Sequence, residues 1–335
     1  MDIESVRALK TEIATRIVPR AVHAILASGG FSITTLSLAK ARAGAEPELA
    51  LGVAPGRSRN DVKLAVRLQR RSLQSSKLIE TIRERSRNEV DIRFVGRIDR
   101  QRLPWYRSRV RPLIAGASVG HYKITAGTIG ALAIDRGSGR LVILSNNHVL
   151  ANENDARTGD AVLQPAAHDG GQRPEDVVAR LAKFVKLNPR ATNEVDAATA
   201  FLARSIDCDP LNYRGIGKLA GTKLDGLLPG APVKKVGRTT GVTHGRVTAI
   251  EVDNVVVTYD IGTLSFDDQI EIESTGRGAF SSGGDSGSLI LDDENLGCGL
   301  LFAGSETGGR NGRGLTYANP IGVVLRKLAI QLAIP

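Results

Sequence analysis

From about residue 113 onward the chain is cut into short apolar runs separated by glycine-bearing turns, and this texture restricts the fold more than any other feature. The runs are Tyr122–Thr125, Ala131–Ile134, Leu141–Leu144, Val162–Gln164, Val247–Val252, Val255–Tyr259, Ile270–Ile272, Leu289–Leu291 and Leu300–Phe302. Many short strands with Gly-rich turns argue for barrels or sandwiches rather than a parallel sheet. The last segment, Ile321–Leu332, spaces Val324, Leu325, Leu328 and Leu332 as a terminal helix would.

The N-terminal third reads differently. Val6, Leu9, Ile13 and Ile17 lie on one helical face. Pro19 should end or kink that helix, with Val22, Ile25 and Leu26 continuing its apolar side and His23 belonging to it. Gly29 and Gly30 punctuate the chain. Two extended runs follow, Leu49–Ala54 and Val62–Leu68, the second alternating Leu64, Val66 and Leu68 with Ala65 and Arg67. Ser76 is a candidate cap for a helix through Leu78, Ile79 and Ile82, and Val90–Ile98 reads as a further strand. The expectation is a small α+β domain over residues 1–100, a connector over 101–112, and a mainly β domain over 113–335.

Composition narrows the class. No apolar run approaches the roughly 18 residues of a membrane span. The first twenty residues mix charges into apolar positions and resemble no secretory signal. Cys208 and Cys298, the two cysteines present, cannot build a multi-bridge framework, and free buried thiols in a reducing compartment are expected. No Cys/His cluster has metal-ligand spacing. The expected protein is cytoplasmic, with no metal and no cofactor. Its net charge of +10 is concentrated between Arg57 and Arg111, where 17 Lys and Arg face 6 Asp and Glu. Such a block can attract nucleic acid or an anionic surface, or simply be a solvated face.

The chemistry gathers at three places. Gly283-Gly284-Asp285-Ser286-Gly287-Ser288 precedes the apolar run Leu289–Leu291. A serine hydroxyl needs exposure, a base, and donors for a developing oxyanion. Glycines beside it let successive amides converge, and those of Gly284 and Ser286 are the candidate donors, with Gly287 leaving room for a substrate backbone. Leu141–Leu150 delivers His148 at the end of an apolar run, with a side chain whose ordinary pKa suits a base. In Asn193-Glu194-Val195-Asp196-Ala197-Ala198, Asp196 sits where burial is expected, and a buried carboxylate needs a partner such as an imidazole. Its rivals Asp160, Asp169 and Asp176 look solvated; Glu194, Asp207 and Asp209 are the others. His121, His168 and His244 have no ligand-like neighbours and read as structural.

LSNNHV, the VDAA segment and GGDSGS, in the order His, Asp, Ser, resemble the trypsin-like (chymotrypsin-fold) serine peptidases. The wording LSNNHVL, with Gln164-Pro165 and Asp169-Gly170-Gly171, is also similar to intracellular bacterial homologues and the plant NARROW LEAF proteins. Lys235-Val236-Gly237-Arg238-Thr239-Thr240-Gly241 resembles the turn opening the second barrel in bacterial members, and Thr316–Pro320 their late strand. The resemblance covers about residues 113–335 and implies a mainly β, two-barrel peptidase domain. The first barrel would span about 113–205, the second about 213–320, and a C-terminal helix about 321–333. It implies Ser286 as nucleophile, His148 as base, Asp196 as orienting carboxylate, and Asp285 beneath the oxyanion loop. In secreted relatives that aspartate pairs with a newly cut N-terminus, and no equivalent activation site is visible here. Phe280, Ser281, Phe302, Ala303 and Gly304 fall where the family builds its P1 pocket. No carboxylate lies between Gly276 and Gly284, and Leu301 stands where glutamate-preferring relatives often carry histidine, so a small or apolar P1 residue is expected.

The expected function is therefore a serine endopeptidase acting on protein or peptide substrates, controlled by its N-terminal domain or by a partner held there. The alternatives are a non-cleaving binding module on the same fold, or recruitment to nucleic acid or membrane through residues 57–111. That basic stretch has only Phe94, Trp105 and Tyr106 for stacking and matches no recognition motif, which argues against nucleic acid.

Overall fold

The computed structural model describes residues 1–19, 49–56, 58, 61–96, 98, 103–225 and 227–334. They form two compact units, Met1–Gln101 and Arg102–Pro335, each with its own core.

In the first unit the helix Ile3–Glu12 starts at Asp2, whose carboxylate accepts the Ser5 amide, and runs on through a π-helical turn, Ile13–Ile17. Val6 and Ile13 are wholly buried, with Leu9 and Ile17 packed against them. β1 (Leu49–Pro55) pairs antiparallel with β2 (Val62–Leu68), and β2 pairs parallel with β3 (Val90–Phe94). Parallel neighbours need a crossover, and the helix Lys77–Arg85, capped by Ser76, supplies it. Leu64, Val66 and Leu68 meet Ile79 and Ile82 in the core, so the period-two alternation of β2 has one face to satisfy. The third strand ends at Phe94, short of Ile98. The expectations for Val22, His23, Ile25, Leu26, Gly29, Gly30 and Arg57 lie outside the described residues.

The second unit opens with β4 (Ser118–His121), β5 (Gly127–Thr128), β6 (Ala131–Asp135), β7 (Leu141–Ser145), β8 (Ala161–Leu163), β9 (Val177–Phe184) and β10 (Ala198–Leu202). They pair in the order β6-β7-β10-β9-β8-β4-β5. Only Ile129 and Gly130 separate β5 from β6, and their amides donate to Ala117 O and Leu144 O, both at 2.9 Å. The two ends of the sheet are thus one piece of chain, and the sheet rolls up around Val119, Leu132, Ile143, Val162, Val178, Leu181 and Ala200. The expected strand Tyr122–Thr125 is a turn instead, because the pairing stretch is Ser118–His121 just before it.

A small ribbon of β11 (Asn212–Tyr213) and β12 (Gly217–Lys218) leads to β13 (Gly221–Thr222), β14 (Pro232–Gly237) and β15 (Gly241–Val252). β16 (Val255–Tyr259) and β17 (Gly262–Phe266) form a hairpin before β18 (Gln269–Ser274), β19 (Leu289–Leu291), β20 (Leu296–Gly304) and β21 (Leu315–Pro320). The pairings β20-β19-β14-β15-β18-β21 close through β20–β21 into a six-stranded ring. Val233, Val247, Ile270, Ile272, Ile290 and Leu301 fill it.

A third core joins the two barrels. Ile321, Val324, Leu325 and Leu328 of the helix Ile321–Leu328 pack with Val142, Leu144, Leu289, Leu291 and Leu300. Each such side chain contributes about 1.5–3 kcal/mol on burial. The helix ends earlier than its spacing suggested. Ala329 takes a left-handed φ of 53°, and Ile330–Leu332 becomes β22, paired with β6. Leu332 is buried, as expected, but on a strand. The class is mainly β: two barrels following a small α+β unit.

Candidate active site

β7 delivers the chain to a single helical turn, Asn147–Leu150. Val149 and Leu150 of that turn enter the first-barrel core, which leaves His148 facing outward with its side chain 22% exposed. Asp196, two residues before β10, is wholly buried. Its Oδ2 accepts from His148 Nδ1 at 2.5 Å. A carboxylate can only accept, so Nδ1 carries the proton and Nε2 is left as the acceptor nitrogen. Asp196 Oδ1 accepts the amides of Asn147 (2.6 Å) and His148 (3.3 Å), and the Tyr259 hydroxyl donates to Oδ2 at 2.8 Å. Four donors thus serve a carboxylate that has no water to turn to.

The backbone of Asp196 is fixed as well. Its carbonyl accepts from Asn146 Nδ2 at 2.6 Å, and its amide donates to Asn319 Oδ1 at 3.1 Å. Asn319 stands on β21 and donates in turn to Gln269 Oε1 at 2.7 Å, so the second barrel helps to place the carboxylate. Burial works against the His148 imidazolium, but the charge of Asp196 and its hydrogen bond outweigh it. The net pKa lies above the ordinary histidine value, with Glu153 adding to the shift.

Ser286 is half-buried on the loop before β19. Thr128 of the first barrel holds that loop at two points: its amide donates to Ser286 O at 2.8 Å, and its hydroxyl donates to Gly284 O at 2.9 Å. Gly284 has a φ of 93°, and a Cβ there would lie 2.7 Å from Thr239 Oγ1. The same Thr239 hydroxyl donates to Gly283 O at 2.6 Å. Across a trans peptide the carbonyl and the following N–H point in opposite directions, so the Gly284 amide is turned away from Thr239. Among the described residues neither the Gly284 nor the Ser286 amide has a hydrogen-bond partner. Two unspent donors beside a serine are what a developing oxyanion requires.

Ser286 Oγ forms no hydrogen bond with His148 or any other described residue. Gly127 lies between the two segments: a Cβ there would meet the Val149 side chain, next to His148 in the chain, and the Ser286 carbonyl oxygen at 3.1 Å. Gly287 does not serve as expected. Its amide donates to Leu301 O at 2.8 Å, and its Cα faces Ser145 and Thr128, so the space it frees is taken by the chain's own first barrel.

Asp285 has a partner that sequence reasoning missed. Lys235 Nζ lies 3.2 Å from its Oδ2, and both side chains are wholly buried. The amides of Thr239 (2.7 Å), Thr240 (3.1 Å) and Ser282 (3.0 Å) and the Thr240 hydroxyl (2.7 Å) also donate to the carboxylate. The only sequence signal was a lysine at an apolar register of β14. Asp169, expected to be solvated, is buried instead. Arg238 grips it with two bonds, Nε to Oδ2 at 2.7 Å and Nη2 to Oδ1 at 2.6 Å. That pair ties the first-barrel loop after β8 to the turn beside Gly284. His121 is buried against Asp160 at 3.2 Å.

Of the five expected pocket residues, Ser281 and Gly304 lie together, and Ala303 packs against the hairpin cluster that holds Phe302. A Cβ on Gly304 would be 3.4 Å from Ser281 Oγ, next to half-buried Ala303, and Ser281 shares a 2.6 Å bond with Thr316 Oγ1. Phe280 and Phe302 are 2% and 3% exposed and belong to two core clusters, the second barrel's and the hairpin's. Among the described residues no group of three or more His, Cys, Asp or Glu could hold a metal ion, and no helix is long and apolar enough to cross a membrane. Both cysteines are free; Cys298 is buried and Cys208 is half-buried.

No protein-family model matches the chain, and a search of curated proteins found no match. Among solved structures it is similar to Thermobifida fusca protease A, at 20% identity and a TM-score of 0.46, over 66% of this chain and 98% of that one. It is also similar to Nocardiopsis protease, at 19% identity and a TM-score of 0.46, and to Cellulomonas bogoriensis chymotrypsin, at 21% and 0.44, with the same coverages. The strand pairings themselves define the fold: residues 102–335 are a chymotrypsin-like unit of two antiparallel barrels.

Proposed function

We propose that the chain is a serine endopeptidase in which Ser286, His148 and Asp196 act as nucleophile, base and orienting carboxylate. The observation that carries this reading is the pair of amides, Gly284 and Ser286, without a partner among the described residues, on a loop held to the first barrel, which also carries a histidine fixed through Nδ1. Ser286 Oγ attacks the scissile carbonyl carbon and gives its proton to His148 Nε2. The carbonyl oxygen, now negative, takes the two amides. His148 returns the proton to the leaving amine, an ester to Ser286 remains, and water activated by His148 releases it. The nucleophile–base bond, open in this structure, is one that tightens when substrate excludes water.

Ser281, Ala303 and Gly304 support a P1 pocket for small or apolar side chains, since the segment between Gly276 and Gly284 offers no carboxylate to pair a basic one. The first unit, with its own core, serves to hold a partner or to control access to the cleft. Equal rates on a small peptide from the full chain and from a chain starting near Arg111 would remove the second version.

The test is treatment with a fluorophosphonate probe and intact mass measurement of wild type, Ser286→Ala and His148→Ala. Labelling of wild type alone is expected. Folded wild type and a folded chain starting near Arg111 that both stay unlabelled overturn the proposal and favour a binding module on the same fold.

A further inference from the structure

Tyr259 ends β16, on the hairpin that lies outside the closed ring of the second barrel. Its ring packs with Val255, Leu264, Phe266 and Phe302 and meets the His148 ring edge-on, 5.8 Å between centroids at 70°. The hydroxyl reaches Asp196 Oδ2, the same oxygen that takes His148 Nδ1. A carboxylate has no proton to give at the pH where a histidine base works, so the phenol is the donor.

The placement is built, not incidental. Asn193, three residues before Asp196, donates its amide to Ser265 O at 2.9 Å and accepts from the Asp267 amide at 3.1 Å. At the other end of the hairpin the Ile261 amide donates to Glu153 Oε2 at 3.1 Å. The segment carrying Asp196 and the loop following His148 therefore both hold the strand pair that carries the hydroxyl. Asp196, Glu153 and Tyr259 are the titratable groups facing His148 among the described residues.

We infer that Tyr259 is a positioning residue for the His148–Asp196 pair, its hydroxyl fixing the rotation of the carboxylate and drawing off part of the charge that His148 feels. This rests on the peptidase reading of the site. Without the hydroxyl, Oδ2 keeps one donor instead of two in a dry environment, where each bond counts for more. Two consequences follow. The carboxylate is freer to turn about its Cβ–Cγ bond, so the imidazole is less well aimed at Ser286. The charge left on Oδ2 binds the imidazolium more tightly, so His148 gives up its proton at higher pH.

The experiment uses the full chain as wild type, Tyr259→Phe, and a form with 3-fluorotyrosine at position 259, whose phenol is the stronger donor. Two quantities are read against pH: the rate of fluorophosphonate labelling, and the downfield proton resonance of His148 Nδ1–H. For Tyr259→Phe the labelling rate near neutral pH should fall roughly 10- to 100-fold, as expected for a lost bond to a charged group. The His148 titration midpoint should move up with Phe and down with fluorotyrosine. An unchanged midpoint in both forms overturns the inference, even if the rate falls, because a purely structural role lowers the rate without moving the titration. If Tyr259→Phe does not fold, the fluorotyrosine midpoint decides alone. If neither wild type nor a folded chain starting near Arg111 labels, the peptidase reading falls, while the resonance still tests the Tyr259 bond separately.

Discussion

Lys235 Nζ and Asp285 Oδ2 form an ion pair at 3.2 Å with neither side chain reaching solvent. The amine also donates to the Thr240 hydroxyl and to Gly241 O, so the turn between β14 and β15 is fastened to the residue beside Ser286. Burial lowers the Lys235 pKa from its ordinary value, and Asp285 opposes that pull without cancelling it. What steadies the Ser286 loop is thus supplied from within the folded unit.

Removing one member of such a pair leaves the other charge buried and alone. Lys235→Met should cost about 3–5 kcal/mol of stability. Urea unfolding checks the stability. Fluorophosphonate labelling, run well below the unfolding midpoint, should fall with it, since Asp285 loses the contact that draws it under the loop. Full labelling by a folded Lys235→Met chain would show that the pair supports stability alone.

Arg238 and Asp169 form a second pair, with side chains 8% and 4% exposed, that crosses from one barrel to the other. Burial raises the Asp169 pKa, but the bonds from Arg238 and Ser118 outweigh it and hold the group below its ordinary 3.8. A depressed carboxyl pKa stabilises the fold above the unfolded value, and that contribution is lost as pH falls through the folded value. Asp169→Asn should therefore be less stable than wild type at pH 7 by about 3–5 kcal/mol, with Arg238 left uncompensated. The gap should narrow toward pH 3. Urea midpoints at the two pH values measure it, and a gap that does not narrow would mean the pair is not what Asp169 contributes.

Local sequence carried the site as far as single segments allow. The apolar run ending in Asn146-Asn147-His148 and the Val195–Ala197 setting of Asp196 each announce one side chain and its environment. The partners were illegible because they are long-range: Tyr259 meets Asp196 from 63 positions away, and Lys235 meets Asp285 from 50. Asp169 misled for a related reason. Its neighbours His168 and Gly170 are exposed, as a polar loop should be, while its own side chain turns inward to an arginine on the other barrel. The C-terminal helix was overextended because Leu328 and Leu332 satisfy helical spacing, and the same two residues also suit a helix followed by a strand.

Gly287→Ala tests how closely the barrels meet beside Ser286. A Cβ there would lie 2.0 Å from Ser145 Oγ and 2.5 Å from Thr128 O, on a backbone with φ of 92°. Left-handed strain and overpacking together should cost about 3 kcal/mol or more. Ser145→Gly in the same chain should not restore stability, because the Thr128 carbonyl remains in the way. Recovery by that second change, seen in thermal unfolding, would place the whole conflict at the serine hydroxyl.

His148 sets the pH dependence of the proposed reaction. It must be neutral to accept the Ser286 proton, and its pKa is raised by Asp196 against the opposing effect of burial. Labelling should therefore fall on the acid side with a midpoint above the ordinary 6.5. Asp196→Asn removes the charge, so the midpoint should move down while the rate drops by roughly 10⁴-fold through the wrong tautomer. Stability carries the opposite sign. The folded chain binds the His148 proton more tightly than the unfolded one, so this group stabilises the fold below about 6.5 and ceases to as pH rises through the folded value. His148→Ala should thus lose more stability at pH 5 than at pH 9, measured by urea midpoints. An equal loss at both would mean that Asp196 does not favour the charged imidazole in the folded chain.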